Sequence, residues 1–547
     1  MNLLIFITFY ILITLSIVGY GLIFGKIIYQ KNAFDIGQSG IFGIFFITFL
    51  SYLTNFFLPL SSQINLVIHF IGVVSFFYFY IKKNYFSKNE LIILIFIILT
   101  ILFFILSAKP HDDFSYYHFP YINLLNNESL QIGVGNFNHG FRTPSSIFYF
   151  SSTFYLPIIK YEIIHIGSAF FLIFTNLILL KKLIINKKKY SKFILILSLL
   201  SFSMINIFFY RIGEHGTDKS SQILMILLVI EILIILNYKK INLKNISFAI
   251  ILIVLAASLK VIYLIYLLFF LTFIFYTKNK LKIILEIMKS KIFVFSSIFI
   301  FSIISVNFFN TGCLLYPATI TCFENFIWAI PMEEVNKMNQ WYQLWAKAGA
   351  NPNFRVNNPE EYIGNFYWVS NWLNNYFFNK ISDYILGLFF LLIVILVTFY
   401  KSSRNNFLAP KYLLIYYLVI ILFIEWFINH PSLRYGGYHL ISLILFIPFS
   451  VYLSNNTYNN KNFYSKIILI IFVISLIFVA RNVNRIFKEN EVYNYNFLKN
   501  PSYVKKFENY ELYSNINAAK KCNIDNCKEA TIFSKKIFGR NMFFRKR

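Results

Sequence analysis

Two adjacent carboxylates and two imidazoles stand directly after a membrane-length apolar run: His111, Asp112, Asp113 and His118 follow the stretch Leu91 to Ser107. Ionisable groups at the end of such a run are costly to keep there unless they are used, which marks a candidate site at the water-lipid boundary. A carboxylate in that position can take a proton from an acceptor hydroxyl. Asp112 and Asp113 are therefore the candidate catalytic pair, with His111 and His118 as candidate substrate contacts. The same loop carries His139 as a further base and Arg142 as a cation suited to phosphate.

A second short polar segment, residues 211–219, holds Glu214, His215 and Asp218. Four carboxylates at one depth (Asp112, Asp113, Glu214, Asp218) repel one another unless something positive sits among them. A divalent cation, a basic side chain or a cationic substrate could supply that charge, and no metal or other cofactor is fixed by the sequence. Basic candidates are Lys260, which interrupts the long apolar region 247–276, and Arg434 in the segment 429–437. A guanidinium grips phosphate oxygens in a fork, and an ammonium acts as a point charge.

The elements that must position these residues are membrane helices. With 58% hydrophobic residues and only 13% charged, the chain cannot bury its apolar surface as a water-soluble globule. The expected fold is an all-α polytopic membrane protein of about 14 spans, each long enough to cross about 30 Å of hydrocarbon. The region 247–276 reads as two short spans with Lys260 at the turn between them. Residues 116–130 and 144–159 read as amphipathic helices lying at the outer interface. The formal charge of +27 falls in short lysine clusters between apolar runs. That is the positive-inside pattern and not a nucleic-acid footprint.

Those clusters place the loops 108–160, 211–219, 310–380 and 429–437, with the tail 481–547, on the outer face of a plasma (inner) membrane. Cys313 and Cys322 then fall in one outer loop and Cys522 and Cys527 in the outer tail. Two disulfides, one within each close pair, follow from that oxidising location. Residues 1–89 form N-terminal spans, 90–454 the transmembrane core and 455–480 the last span.

The first-loop motif from His111 to His118, the segment Glu214 to Asp218 and the small-residue run Ala256 to Lys260 together resemble the GT-C superfamily of membrane glycosyltransferases. The segments Asn310 to Pro317 and Pro431 to Tyr435 are similar to uncharacterised bacterial members of that group. The resemblance covers roughly residues 90 to 450. It implies a GT-C-like helical bundle that moves a sugar from a polyprenyl-phosphate carrier to a glycan or lipid acceptor outside the membrane, as part of cell-envelope assembly. Asp112 or Asp113 matches the family's first-loop Asp, which acts as base or helps hold a metal. Glu214 and Asp218 support it, and Lys260 and Arg434 face the donor phosphate. His111, His118, His139, Arg142 and His215 are left for the acceptor or substrate.

Two other classes share parts of this pattern. An O-antigen-type polymerase or ligase would concentrate function in a large late loop, and residues 310–380 are long enough. A lipid or polysaccharide transporter would also carry intramembrane charges, but would show repeats and interrupted helices in both halves.

Overall fold

The computed structural model describes residues 1–29, 34–83, 86–211, 217–237, 243–276, 279–401, 410–455, 460–502, 511–522, 527 and 531–546. Glu214 and His215 lie outside the described residues. The first four helices, α1 (Leu3–Tyr29), α2 (Ile36–Phe57), α3 (Ser62–Lys83) and α4 (Lys88–Ile105), follow one another through short turns. The first polar loop folds as α5 (Phe119–Asn127) and α6 (Ser146–Ser152). Then come α7 (Gly167–Leu180), α8 (Lys192–Phe208), α9 (Thr217–Ile235), α10 (Leu243–Leu259), α11 (Phe270–Tyr276), α12 (Lys280–Met288) and α13 (Lys291–Thr311). The late loop carries α14 (Met332–Lys347), α15 (Pro359–Gly364) and α16 (Trp368–Trp372). It is followed by α17 (Ser382–Phe399), α18 (Pro410–Asn429), α19 (Gly437–Asn455), the long α20 (Asn460–Tyr493) and α21 (Glu511–Ala519). A hairpin, β1 (Ile532–Ile537) and β2 (Arg540–Arg545), completes the described chain.

The protein is an all-α polytopic membrane protein apart from that ribbon. Among the described residues, ten helices are long and apolar enough to cross a membrane. The other predicted runs are helical too: Lys192–Phe208, Ile246–Leu259 and Val261–Tyr276 are apolar but shorter. α9 is the exception, because Asp218, Lys219 and Glu231 interrupt its apolar sequence. It can carry them because it runs through the middle of the bundle against α7, α8, α10 and α19, with every residue from Ser220 to Ile235 buried. A helix that is covered all round needs internal partners for its charges. Glu231 finds one in Lys182, at 2.6 Å.

Close helix approach is made by small residues, as expected where lipid offers no hydrophobic drive between helices. A Cβ on Gly19 would lie 1.9 Å from the Gly72 carbonyl oxygen, and one on Gly43 would lie 1.8 Å from the Ile17 oxygen. α1, α2 and α3 are thereby locked together, and α2 packs on to α7. Residues on both sides of position 89 share one hydrophobic core.

Ion pairs mark one end of the bundle. Asp35 caps α2 and lies 3.5 Å from Lys181, which also pairs with Glu90 in the capping box of α4. At the other end the loop 108–160, the start of α9, the end of α10, the late loop and the α18–α19 turn come together. The break at Lys260 is as expected: α10 stops there, Lys260 is extended (φ −156°), and a tighter turn of helix resumes at Val261.

The loop helices differ from the sequence expectation. α5 is amphipathic in sequence, yet all its residues from Phe119 to Asn126 are buried, and so are all of α6. The polar stripe of α5 faces protein: Asn126 Nδ2 donates to the Leu60 and Ser152 carbonyls at 2.7 and 2.9 Å, and Asn55 closes on to Leu125 and Glu128. Side-chain amides that can bond backbone carbonyls make a polar stripe as suitable for packing as for water.

The tail also acquires structure that the sequence reading left open. β1 and β2 pair antiparallel with Ile532 opposite Arg545 and Ile537 opposite Arg540. Phe538 and Gly539 turn the corner with φ of 49° and 77°, the handedness that two-residue hairpin turns require. The hairpin extends on to the first loop, where Ile132 N donates to Asn541 O at 3.0 Å and Phe543 N donates to Ile132 O at 2.8 Å. Gly133 beside it has φ 75°, and any Cβ there would strike the Phe543 carbonyl. Both predicted disulfides are formed, Cys313 with Cys322 and Cys522 with Cys527.

Candidate functional site

Asp218 sits in the first turn of α9, where the exposed N–H groups of a helix favour a negative charge. Its side chain is 10% exposed and binds two cations from distant parts of the chain. One oxygen takes the Lys260 ammonium, and Oδ2 accepts from Arg434 Nε at 2.7 Å. The Arg434 guanidinium engages through Nε, and its side chain stays 40% exposed. The Asp218 charge beside it holds Arg434 above its ordinary pKa, against the opposing effect of burial.

The Arg434 turn is held from several sides. Gln222, one helical turn after Asp218, donates to the carbonyls of Leu433 and Arg434, both at 3.1 Å. Trp372 and Trp426 donate their indole N–H to Pro431 O and Ser432 O at 2.7 and 2.8 Å. Tyr376 accepts the Leu433 N–H at 2.9 Å. Gly436 then turns with φ 132°, a conformation that side chains rarely adopt, before α19 begins. Aromatic faces complete the enclosure: Lys260 Nζ stands 3.9 Å from the Tyr435 ring centroid, and Arg434 lies 5.5 Å from that of Trp345.

The first-loop motif faces the same region. His111 lies in the field of Arg434 and Asp218 as well as of its neighbours Asp113 and Asp112. Burial lowers its pKa below the ordinary imidazole value, against the pull of Asp113. The doubled aspartate divides. Asp112 projects outward with a side chain 91% exposed, 4.0 Å from Lys109. Asp113 turns inward, with Oδ2 3.6 Å from His111 Nδ1 and within 3.5 Å of the Tyr117 hydroxyl. A wide turn follows, in which the His118 N–H reaches back five residues to Asp113 O at 3.3 Å. Such i→i+5 turns recur at functional sites. His111, Asp113 and His118 could hold a metal, since each offers a ligand atom and these lie within 4.8 Å of one another.

Other candidates are placed differently. His139 packs beside the rings of Tyr116 and Tyr117, at 5.5 and 6.1 Å between centroids, and burial lowers its pKa. Arg142 is not a ligand group in this arrangement. Its guanidinium donates to Gly135 O at 3.1 Å, Tyr316 at 2.8 Å and Glu334 at 2.6 Å, so the buried charge is consumed in joining the first loop to α14. Burial opposes that charge, but Tyr316 and Glu334 together hold its pKa above the usual value.

Sequence reasoning gave no site role to Gln222, Trp345 or Tyr435 and missed the Lys182–Glu231 pair. The pair could have been found by asking what neutralises a carboxylate inside an apolar run.

These features define the class: a multi-pass helical membrane protein with a charged, aromatic-walled site at one end of the bundle, assembled from loops far apart in sequence. Within that class the chain belongs to the family described as a domain of unknown function, DUF8201, whose model matches residues 1–441. No curated protein and no solved structure matches the chain.

Proposed function

We propose that the protein is a membrane glycosyltransferase of GT-C type, moving a sugar from a polyprenyl-phosphate carrier to a glycan or lipid acceptor on the extracytoplasmic face of the plasma membrane. The observation that carries this reading is the meeting of Asp218, Lys260 and Arg434 beside the Asp112–Asp113 motif. Within the triad one carboxylate faces two cations, so Arg434 and Lys260 together carry one charge beyond what Asp218 neutralises. Arg434 and Lys260 then bind the carrier phosphate and stabilise charge as it leaves, with Asp218 fixing both in place. A carboxylate of the first-loop pair accepts the acceptor hydroxyl's proton.

In this reading the four remaining apolar runs also cross the membrane, giving about 14 crossings of roughly 30 Å, and Trp345 and Tyr435 supply a face for the sugar. The test is a comparison of lipid-linked sugars in cells with and without the gene, by mass spectrometry. Accumulation of one polyprenyl-phosphate sugar on deletion is expected. An unchanged lipid-linked pool with unchanged surface glycans would exclude the reading.

A further inference from the structure

At the end of the bundle marked by Asp35 and Lys181, away from the candidate site, α1, α3 and α13 leave a groove of about 480 Å³ between them. Small-ligand sites run from about 300 to 1,000 Å³. The groove walls are apolar at Ile23, Ile27 and Phe79, and its polar groups are two ammoniums, Lys26 in the last turn of α1 and Lys291 in the first turn of α13. Other lysines at this end are neutralised by carboxylates: Lys181 by Asp35 and Glu90, and Lys182 by Glu231. Among the described residues, Lys26 and Lys291 have no such acid partner. Lys291 Nζ gives one hydrogen to Ile27 O at 3.0 Å and keeps two. Two cations lining one groove repel, and a lysine in the first turn of a helix also faces the positive end of its dipole. An anion in the groove removes both costs.

The surrounding elements favour an anion carried on a lipid. α12, which leads into α13 through the Ser290 cap, exposes Leu281, Ile284, Leu285 and Met288 in one helical stripe, with Lys280 and Lys282 exposed beside it. A basic helix with an uncovered apolar stripe lies in the membrane interface, at headgroup level. Beyond Lys291 the exposed face of α13 continues as Val294, Ile298 and Phe301, a surface made for acyl chains. The two ammoniums therefore stand where headgroups and hydrocarbon meet.

We propose that this groove seats the headgroup of one anionic glycerophospholipid, its phosphate between Lys26 and Lys291 and its chains against Ile23, Phe79 and the exposed face of α13. Basic pockets between spanning helices hold anionic headgroups by this combination of charge and apolar wall. The site lies at the opposite end of the bundle from Asp218 and Arg434, and it stands without the transferase reading.

The test uses the full chain, delipidated in detergent micelles and titrated with phosphatidylglycerol or phosphatidylcholine, with bound lipid counted by native mass spectrometry. Wild-type protein should take up one phosphatidylglycerol well before it takes up phosphatidylcholine. A lysine at a membrane surface is worth about 5-fold in affinity for an anionic lipid, so Lys26→Gln and Lys291→Gln should each weaken binding about 5-fold and together about 30-fold. Lys291→Arg keeps the charge and should keep most of the binding. The control removes equal charge from two exposed lysines at the same end, Lys188→Gln with Lys189→Gln, and should leave binding unchanged. Equal losses in the control would reduce the effect to general surface charge and overturn the proposal, as would phosphatidylcholine bound as tightly as phosphatidylglycerol. Excess inorganic phosphate should not compete, and its displacement of the lipid would make this a site for free phosphate and overturn the lipid assignment.

Discussion

Replacing Asp218 by Asn keeps the shape of the side chain and removes the one anion between two cations. Removing one partner of a buried ion pair costs about 3–5 kcal/mol, because the other is left without compensation. Here the partners are not fully enclosed: Lys260 is 26% exposed and Arg434 40%. Both can turn partly toward water, which brings the expected loss to the lower end, about 3 kcal/mol. Lys260→Met alone leaves the Asp218–Arg434 pair intact and should cost about 1 kcal/mol, the worth of one hydrogen bond. The double variant then has a single cation, held against aromatic rings, in place of two that repel. It should be more stable than Asp218→Asn alone by about 1 kcal/mol or more, so a second substitution rescues the first. Reversible unfolding in mixed micelles titrated with SDS reads all four members of the cycle. A double variant as unstable as Asp218→Asn, or additive losses, would refute the claim that Asp218 exists to hold these two cations.

Transfer should collapse by at least about 100-fold in Asp112→Asn and in Asp113→Asn, measured on a polyprenyl-phosphate-sugar donor; full activity of the double Asn variant would remove the motif from the chemistry. Membrane-impermeant thiol reagents should label Cys313, Cys322, Cys522 and Cys527 of intact cells only after reduction, and labelling that instead required permeabilisation would overturn the outer placement of both pairs. Burial, aided by Lys260 and Lys347, pushes His430 down to about 4 from an ordinary value near 6.5. Stability from this residue is therefore complete above about pH 6.5 and is lost as pH falls toward 4, by up to about 3 kcal/mol, and His430→Gln should flatten that slope in the same SDS titration. Glu334→Gln strips Arg142 and Arg545 of their shared carboxylate at once. It should speed tryptic cleavage at Arg540 in reconstituted protein, whereas an unchanged cleavage rate would show that the hairpin is held without it.

What the sequence disclosed and what it hid divide along physical lines. Runs of apolar residues and the interruption at Lys260 are local signals, because span length is fixed by the bilayer and not by neighbours. The cysteine pairs were legible for the same reason, each lying within one loop. Charge balance pointed to Lys260 and Arg434 as cations among the carboxylates, but not to Asp218 as the one that takes both, since it lies 216 residues from Arg434 and no periodicity links them. Arg142 shows the opposite failure: its type and loop position suggested a ligand role, but Glu334 and Tyr316, far along the chain, occupy its donors. The inward turn of Asp113 and the outward turn of Asp112 depend on one hydrogen-bonded turn, which the pair Asp-Asp does not itself specify.

The hairpin bears on how the protein is made. Its strands seat on Ile132 and Gly133, Arg545 reaches Asn136 and Glu334, and Lys520 pairs with Glu128. The first loop emerges early in synthesis, yet these braces come from residues translated after the last long helix. During synthesis the loop must therefore wait for these contacts until the residues after α20 have been made. Ribosome-bound chains stopped before residue 520 would lack all of these contacts to the first loop.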